Sequence, residues 1–137
     1  MISKPLISVI MGIYNCENSI ETAIESILQP SYDNWELIMC DDGSTDSIAT
    51  KHIKQYPNKL VVLKNEKNLR LAATLNRCLG AAKGEYITRM DADDVSLPQR
   101  FETQVAFLEN HHEYDVVRYS AKIFDKKKVV KETVLHL

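Results

Sequence analysis

Apolar positions along the chain fall into two rhythms that alternate. Leu6-Ile7-Ser8-Val9-Ile10-Met11 is a nearly continuous apolar run, the pattern of a strand buried on both faces. Ile20, Ala23, Ile24, Ile27 and Leu28 then recur at helical spacing, with Asn18 or Ser19 placed to cap the helix and Pro30 to end it. A second strand runs from Trp35 to Cys40 and stops at Asp41-Asp42-Gly43-Ser44. Ser44 or Thr45 can cap a second helix reaching about Gln55, and Leu60 to Leu63 form a third strand. Leu71, Leu75, Leu79 and Ala82 mark a third helix from Leu71 to Lys83, with Gly84 expected just past its end as the C′ residue. Tyr86 to Met90 is a fourth strand. Pro98 suits the first turn of a fourth helix whose apolar face is Phe101, Val105 and Leu108. A fifth strand is expected from Val116 to about Phe124 and a sixth from Val129 to Leu135.

This order predicts an α/β fold with a mostly parallel sheet and helices on both of its faces. Ligands of such sheets bind beyond the carboxyl ends of the strands. Three polar segments fall there: the loop from Gly12 to Asn18, the Asp41-Asp42 turn, and Asp91-Ala92-Asp93-Asp94.

Bulk properties narrow the possibilities. A chain of 137 residues with 45% hydrophobic and 26% charged residues suits one compact soluble domain. Its net charge of −2 provides no overall attraction to nucleic acid, and Lys126-Lys127-Lys128 reads as a solvated turn. Cys16, Cys40 and Cys78 have neither metal-ligand nor redox spacing, and the four histidines show no ligand spacing either. No secretory segment and no apolar run of the ~20 residues needed to cross a bilayer is present. Reduced thiols and a cytosolic location are the expectation.

The acidic cluster carries the strongest chemical signal. Three carboxylates in four positions at the end of a strand repel one another unless a cation or donors offset the charge. Hard oxygen ligands of this kind suit a divalent metal that can in turn hold a diphosphate. No G-x-G-x-x-G follows the first strand, and no G-x-x-x-x-G-K-[ST] occurs, which argues against a dinucleotide oxidoreductase or P-loop NTPase. Phosphate would have to be held by metal, by helix N-termini, or by basic residues such as Arg70, Arg89 and Arg100. Taken alone, Asp42-Gly43-Ser44 is also an ordinary turn sequence, and Tyr14 could simply pack against the sheet. The strand followed by D-x-D-x-V also fits a haloacid-dehalogenase-like phosphatase with Asp91 as nucleophile and Asp93 as acid/base, although that family carries the motif on its first strand.

An ordered set of motifs resembles glycosyltransferase family 2. It runs from Pro5-Leu6-Ile7-Ser8-Val9-Ile10-Met11 through Tyr14-Asn15-x-Glu17, Trp35-Glu36-Leu37-Ile38 and Asp41-Asp42-Gly43-Ser44-Thr45-Asp46. It continues with Asn68-x-x-Leu71-Ala72, Leu75-Asn76, Ala82-x-Gly84-Glu85-Tyr86-Ile87, Met90-Asp91-Ala92-Asp93-Asp94 and Pro98-x-Arg100-Phe101-Glu102-x-Gln104-Val105. The resemblance implies a GT-A fold, a Rossmann-like sheet binding a nucleoside diphosphate sugar, with a UDP-sugar favoured. It implies base and ribose contacts from Ile13, Tyr14 and Glu17, and a uracil contact from Asp42. Asp91 and Asp93 correspond to the family's D-x-D. The resemblance places Asp91 with the nucleotide and Asp93 and Asp94 with Mg2+ or Mn2+, one of the last two ligating the metal while a neighbour contacts the ribose, without fixing which does which.

The resemblance further implies inverting hexosyl transfer to a glycan or lipid-linked acceptor, in the cytosol or at the inner face of the membrane with peripheral attachment. Several positions depart from the pattern. Gly12 stands where Pro or Thr is usual, Gln29-Pro30 replaces Asn-Gln, Arg70 occupies a typical Gly position, and Arg118 replaces a small residue. Inverting transfer needs a general base, and after Phe124 only Asp125 and Glu132 carry carboxylates, neither in a recognisable motif. The expectation is a single nucleotide-sugar-binding domain over residues 1–137 that represents the donor half of a glycosyltransferase. The non-enzymatic reading is a binding module that keeps the donor half without catalysis.

Overall fold

The structure, a computed structural model, describes residues 4–28, 31–46, 56, 58–118, 121–125 and 128–133. Its elements are β1 (Ile7–Ile13), α1 (Ile20–Ile27), β2 (Trp35–Asp41), β3 (Leu60–Lys64), α2 (Leu71–Ala81), β4 (Tyr86–Arg89), α3 (Arg100–Asn110), β5 (Ala121–Asp125) and β6 (Lys128–Thr133). Two compact units divide the chain within α3, residues 1–102 and 103–137.

The first unit is built on a four-stranded parallel sheet in the order β3-β2-β1-β4. The continuous apolar runs that predict doubly buried strands produce them. Ile7, Val9, Met11 and Ile13 on one side of β1 are each at most 2% exposed, and Ser8 and Ile10 on the other are also buried. On that second face Ile10, Ile38 and Cys40 cluster with Cys78 of α2. The chain steps from β1 to β2 in one direction and from β3 back across to β4 in the other. Right-handed crossovers therefore put α1 and α2 on opposite faces, and the direction reverses between β1 and β4.

Helix α1 follows its periodicity: Ile20, Ala23, Ile24 and Ile27 are buried. Ser19 is its N-cap residue, but its hydroxyl bonds the Cys16 carbonyl at 3.3 Å instead of capping an amide. Helix α2 departs from expectation. Its buried residues are Thr74 and Cys78, whereas Leu71 and Leu79 are 45% and 42% exposed. The small side chains at this i, i+4 pair let the helix approach β1 and β2 closely.

Gly84 is not a left-handed C′ residue; α2 ends at Ala81 and Ala82 is its C-cap. Its missing side chain instead allows a close backbone approach. A Cβ there would sit 2.6 Å from the Ser8 amide nitrogen and 2.6 Å from its hydroxyl. That hydroxyl accepts the Gly84 N–H at 2.8 Å and donates to Glu36 Oε1 at 2.6 Å, while Lys83 N–H also donates to Glu36 Oε1 at 2.8 Å. Gly84→Ala is expected to lower stability by about 1–3 kcal/mol, the cost of overpacking, in urea denaturation. A variant as stable as the parent would remove this account of Gly84.

Helix α3 begins at Arg100, two residues after Pro98, and Phe101 and Val105 are buried as the spacing predicts. Phe101 meets Tyr32 edge-on at 6.5 Å. In the second unit Phe107, His111 and Tyr114 form an aromatic group, with Phe107 stacked on His111 at 4.5 Å. The fifth strand begins at Ala121, not Val116, because Val116 is 73% exposed and two adjacent valines offer too short an apolar run to pair. It pairs antiparallel with β6 in a separate two-stranded sheet. Pro30 and most of the helix expected to reach Gln55 lie outside the described residues, as does the end of the sixth strand at Leu135.

Candidate functional site

Strands β2 and β4 flank β1, and all three run in the same direction. At the usual strand spacing, the ends of β2 and β4 stand roughly 10 Å apart across the end of β1. This edge, where the chain reverses direction, is where an open α/β sheet holds its ligand.

On the β2 side lies a cleft of about 230 Å³ lined by Gly12, Ile13, Tyr14, Asp42, Asn68, Arg70, Leu71 and Thr74. It brings together three of the predicted nucleotide residues. Ile13 is buried, and its carbonyl accepts the Asp42 N–H at 2.8 Å, whereas the Tyr14 ring is 54% exposed. A Cβ on Gly12 would lie 3.0 Å from a Leu71 methyl, so the departure from Pro or Thr here makes room for the start of α2.

Asp42 is 5% exposed and does more than face the cleft. Its Oδ1 accepts the Leu69 N–H at 2.7 Å and the Asn65 amide at 2.9 Å. Asn65 also donates to Thr74 Oγ1 at 3.0 Å and accepts Arg77 Nη1 at 2.6 Å. Burial on its own would raise the Asp42 pKa. Hydrogen bonds from the Leu69 N–H, the Asn65 amide, the Thr74 hydroxyl and the Arg70 N–H outweigh it and hold the carboxyl below its ordinary value. Asn65, Thr74 and Arg77 thus belong to the site's frame although none carries a predicted role. The available signal was Thr74 and Cys78, a small i, i+4 pair inside a leucine-rich helix.

The loop after β1 is tied to the turn after β2. Asn15, at φ +48°, donates its N–H to Ser44 Oγ at 3.0 Å and accepts the Thr45 N–H and hydroxyl at 2.8 and 3.2 Å. Asp41 Oδ1 accepts the Ser44 N–H at 2.9 Å. The Glu17 N–H donates to Asp46 Oδ2 at 3.2 Å. The Glu17 side chain is exposed and does not line the cleft.

On the β4 side, carboxylate oxygens of Asp91, Asp93 and Asp94 lie within 4.8 Å of one another. The Asp94 N–H turns back onto the Asp91 carbonyl at 3.1 Å, which folds the segment so that the acids converge. Desolvation by the surrounding protein, then the charges of Asp91 and Asp93, push up the pKa of Asp94, whose side chain is exposed. A set of hard oxygen donors with mutual repulsion fits a divalent cation such as Mg2+ or Mn2+. Arg89 pairs with Asp91 at 3.2 Å. Arg100 donates to Thr88 Oγ1 at 2.7 Å and to the Arg89 carbonyl at 3.0 Å. Two of the three arginines considered for phosphate are therefore engaged with the end of β4.

Comparison with known proteins decides the family. The model of "Glycosyl transferase family 2" matches residues 8–134. The chain belongs to glycosyl transferase family 2. EpsE of Bacillus subtilis, whose name assigns it provisionally to the glycosyltransferases, is 53% identical over 129 residues, covering 92% of this chain and 46% of that protein. The UDP-Glc:alpha-D-GlcNAc-diphosphoundecaprenol beta-1,3-glucosyltransferase WfgD of Escherichia coli is 35% identical over 103 residues, covering 75% of this chain and 41% of that one.

Among solved structures, TarS residues 1–349 of S. aureus in complex with UDP-GlcNAc superposes with a TM-score of 0.71 at 30% identity, over 77% of this chain and 32% of that one. The mannosyltransferase PcManGT of Pyrobaculum calidifontis, in complex with GDP-Man and Mn2+, gives 0.71 at 25% identity, over 77% and 33%. The fold of this family 2 chain is GT-A. The match displaces the phosphatase reading of the acidic cluster. The chain spans less than half the length of the curated relatives it matches. No helix among the described residues is long and apolar enough to cross a membrane.

Proposed function

We propose that the chain is the donor-binding part of an inverting glycosyltransferase that takes a nucleoside diphosphate sugar, with UDP as the nucleotide, and serves a glycan or lipid-linked acceptor. One observation carries the reading: a cleft holding Ile13, Tyr14 and Asp42 and a triad of carboxylates stand on either side of β1 at the ligand edge of the sheet. The base would lie in the cleft, where ionised Asp42 is an acceptor for an imide N–H and Tyr14 offers an exposed ring. Ribose and phosphate would extend across the end of β1 past Glu17 toward Asp91, with Asp93 and Asp94 holding Mg2+ or Mn2+. Bound there, the cation would act as a Lewis acid toward the diphosphate, where negative charge grows as the glycosidic bond breaks.

The chain's own part is to position this donor. The ties between the 14–17 and 44–46 segments hold the first loop, and the Asp42–Asn65 pair holds the loop before α2. Residues 1–137 are read as one donor domain working from the cytosolic side, with peripheral membrane attachment. The WfgD name supports a lipid-linked acceptor class, and the PcManGT complex supports Mn2+.

Calorimetric titration of the chain with UDP should show binding that strengthens at least about tenfold when Mn2+ or Mg2+ is added. Absence of any UDP binding, or binding indifferent to metal, would sink the assignment.

A further inference from the structure

We infer that Arg70 reads the nucleoside base in the cleft by donating to the C4 carbonyl of a uracil-type base; this rests on the nucleotide-sugar reading above. Arg70 adopts φ +71° and ψ 171°, a region of backbone space that is essentially reserved for glycine. Nothing local explains a side chain there. The Arg70 N–H bonds Asn68 Oδ1 at 3.1 Å and its carbonyl accepts the Thr74 N–H at 3.1 Å, both contacts that glycine would make equally well. Its side chain is exposed, and its guanidinium has no hydrogen-bond or ion-pair partner among the described residues. Arg89, Arg100 and Arg77, by contrast, all hold backbone or side-chain partners.

Location then selects the ligand atom. Arg70 is the one arginine lining the cleft, together with Asp42 and Tyr14, and none of the acidic triad contributes to that lining. It therefore serves the nucleoside end of the proposed site and not the metal end. Asp42 as a carboxylate only accepts, and a guanidinium only donates. A base edge that alternates carbonyl and N–H, as in uracil, satisfies both groups. With Asp42 at N3–H and Arg70 at the C4 carbonyl, cytosine would place its unprotonated N3 against the carboxylate and its 4-amino group against the guanidinium, and so match neither.

The test compares Arg70→Gly and Arg70→Ala with the parent chain, titrating UDP and CDP in the presence of Mn2+. Arg70→Gly should raise Tm by releasing the backbone, while Arg70→Ala, which keeps the Cβ, should not. Both should weaken UDP by about tenfold, the size of one charge-assisted hydrogen bond. Both should leave CDP nearly unchanged, so that preference for UDP narrows by the same factor. Equal losses for UDP and CDP would mean a contact to a group that both share, such as the phosphate, and overturn reading of the C4 carbonyl, as would unchanged UDP affinity in both variants. A parent chain that binds no UDP would overturn the nucleotide reading itself, before either variant is compared.

Discussion

Asp42→Ala is expected to lower the stability of the chain by about 2–4 kcal/mol and to remove nucleotide binding with it. The reason is what the carboxylate leaves behind. Asn65 keeps its bond to Thr74 Oγ1, but the Leu69 N–H loses its 2.7 Å acceptor and the loop leading into α2 loses its anchor. A part-buried donor without a partner costs about 1–3 kcal/mol, and the lost bonds are to a charged group. Urea denaturation near neutral pH measures the sum. Asp42→Asn keeps an acceptor oxygen and should lose less, about 1 kcal/mol.

The same pair of variants makes a pH prediction. Because the folded-state pKa of Asp42 is lowered, its contribution is fully present above the unfolded value of about 4 and is lost as pH falls through the folded value. The parent should therefore exceed Asp42→Asn in stability near neutral pH, and the two should converge in acid. A stability difference that stays constant from neutral to acid pH would mean that the Asp42 charge has no role.

Asp93→Ala is expected to abolish the metal dependence of UDP binding, a loss of at least about tenfold measured in saturating Mn2+. Three carboxylates with oxygens inside 4.8 Å of one another form a site whose affinity rests on their number and charge. Their repulsion is a burden when no cation is present. Asp93→Ala should therefore leave the metal-free chain no less stable than the parent, by thermal denaturation in EDTA. That pairing of signs separates a ligand from a structural residue, because removing a structural residue would lower metal-free stability as well. Metal dependence retained in Asp93→Ala would shift the metal site away from this cluster.

What the sequence disclosed follows from what short-range pattern can encode. Continuous apolar runs mark β1 and β2 because a strand covered on both sides has no polar face, and the acids at 91–94 stand out because three carboxylates fall within four positions. The buried face of α2 was hidden, since Leu71, Leu75 and Leu79 outnumber Thr74 and Cys78 while the closer approach favours the smaller pair. The double duty of Asp42 was hidden for another reason. Its partners Asn65 and Leu69 lie 23 and 27 residues away and meet it only once β3 and α2 are in place. Gly84 signalled a constraint, but whether the constraint is a positive φ or a close approach depends on Ser8, 76 residues earlier. Arg70 was noticeable as a basic residue that could hold phosphate and as an arginine where glycine is usual, and the backbone angle then gave that substitution its cost.

The bonds from Asn15 to Ser44 and Thr45, and from Glu17 to Asp46, have a consequence for engineering. Neither segment carries its shape by itself: the left-handed turn at Asn15 is held by the neighbouring strand's exit, and that exit is held by Asn15. To change donor preference by transplanting a loop from a relative, residues 14–17 and 44–46 have to travel as one cassette. A graft of either alone would import side chains without the partner that aims them.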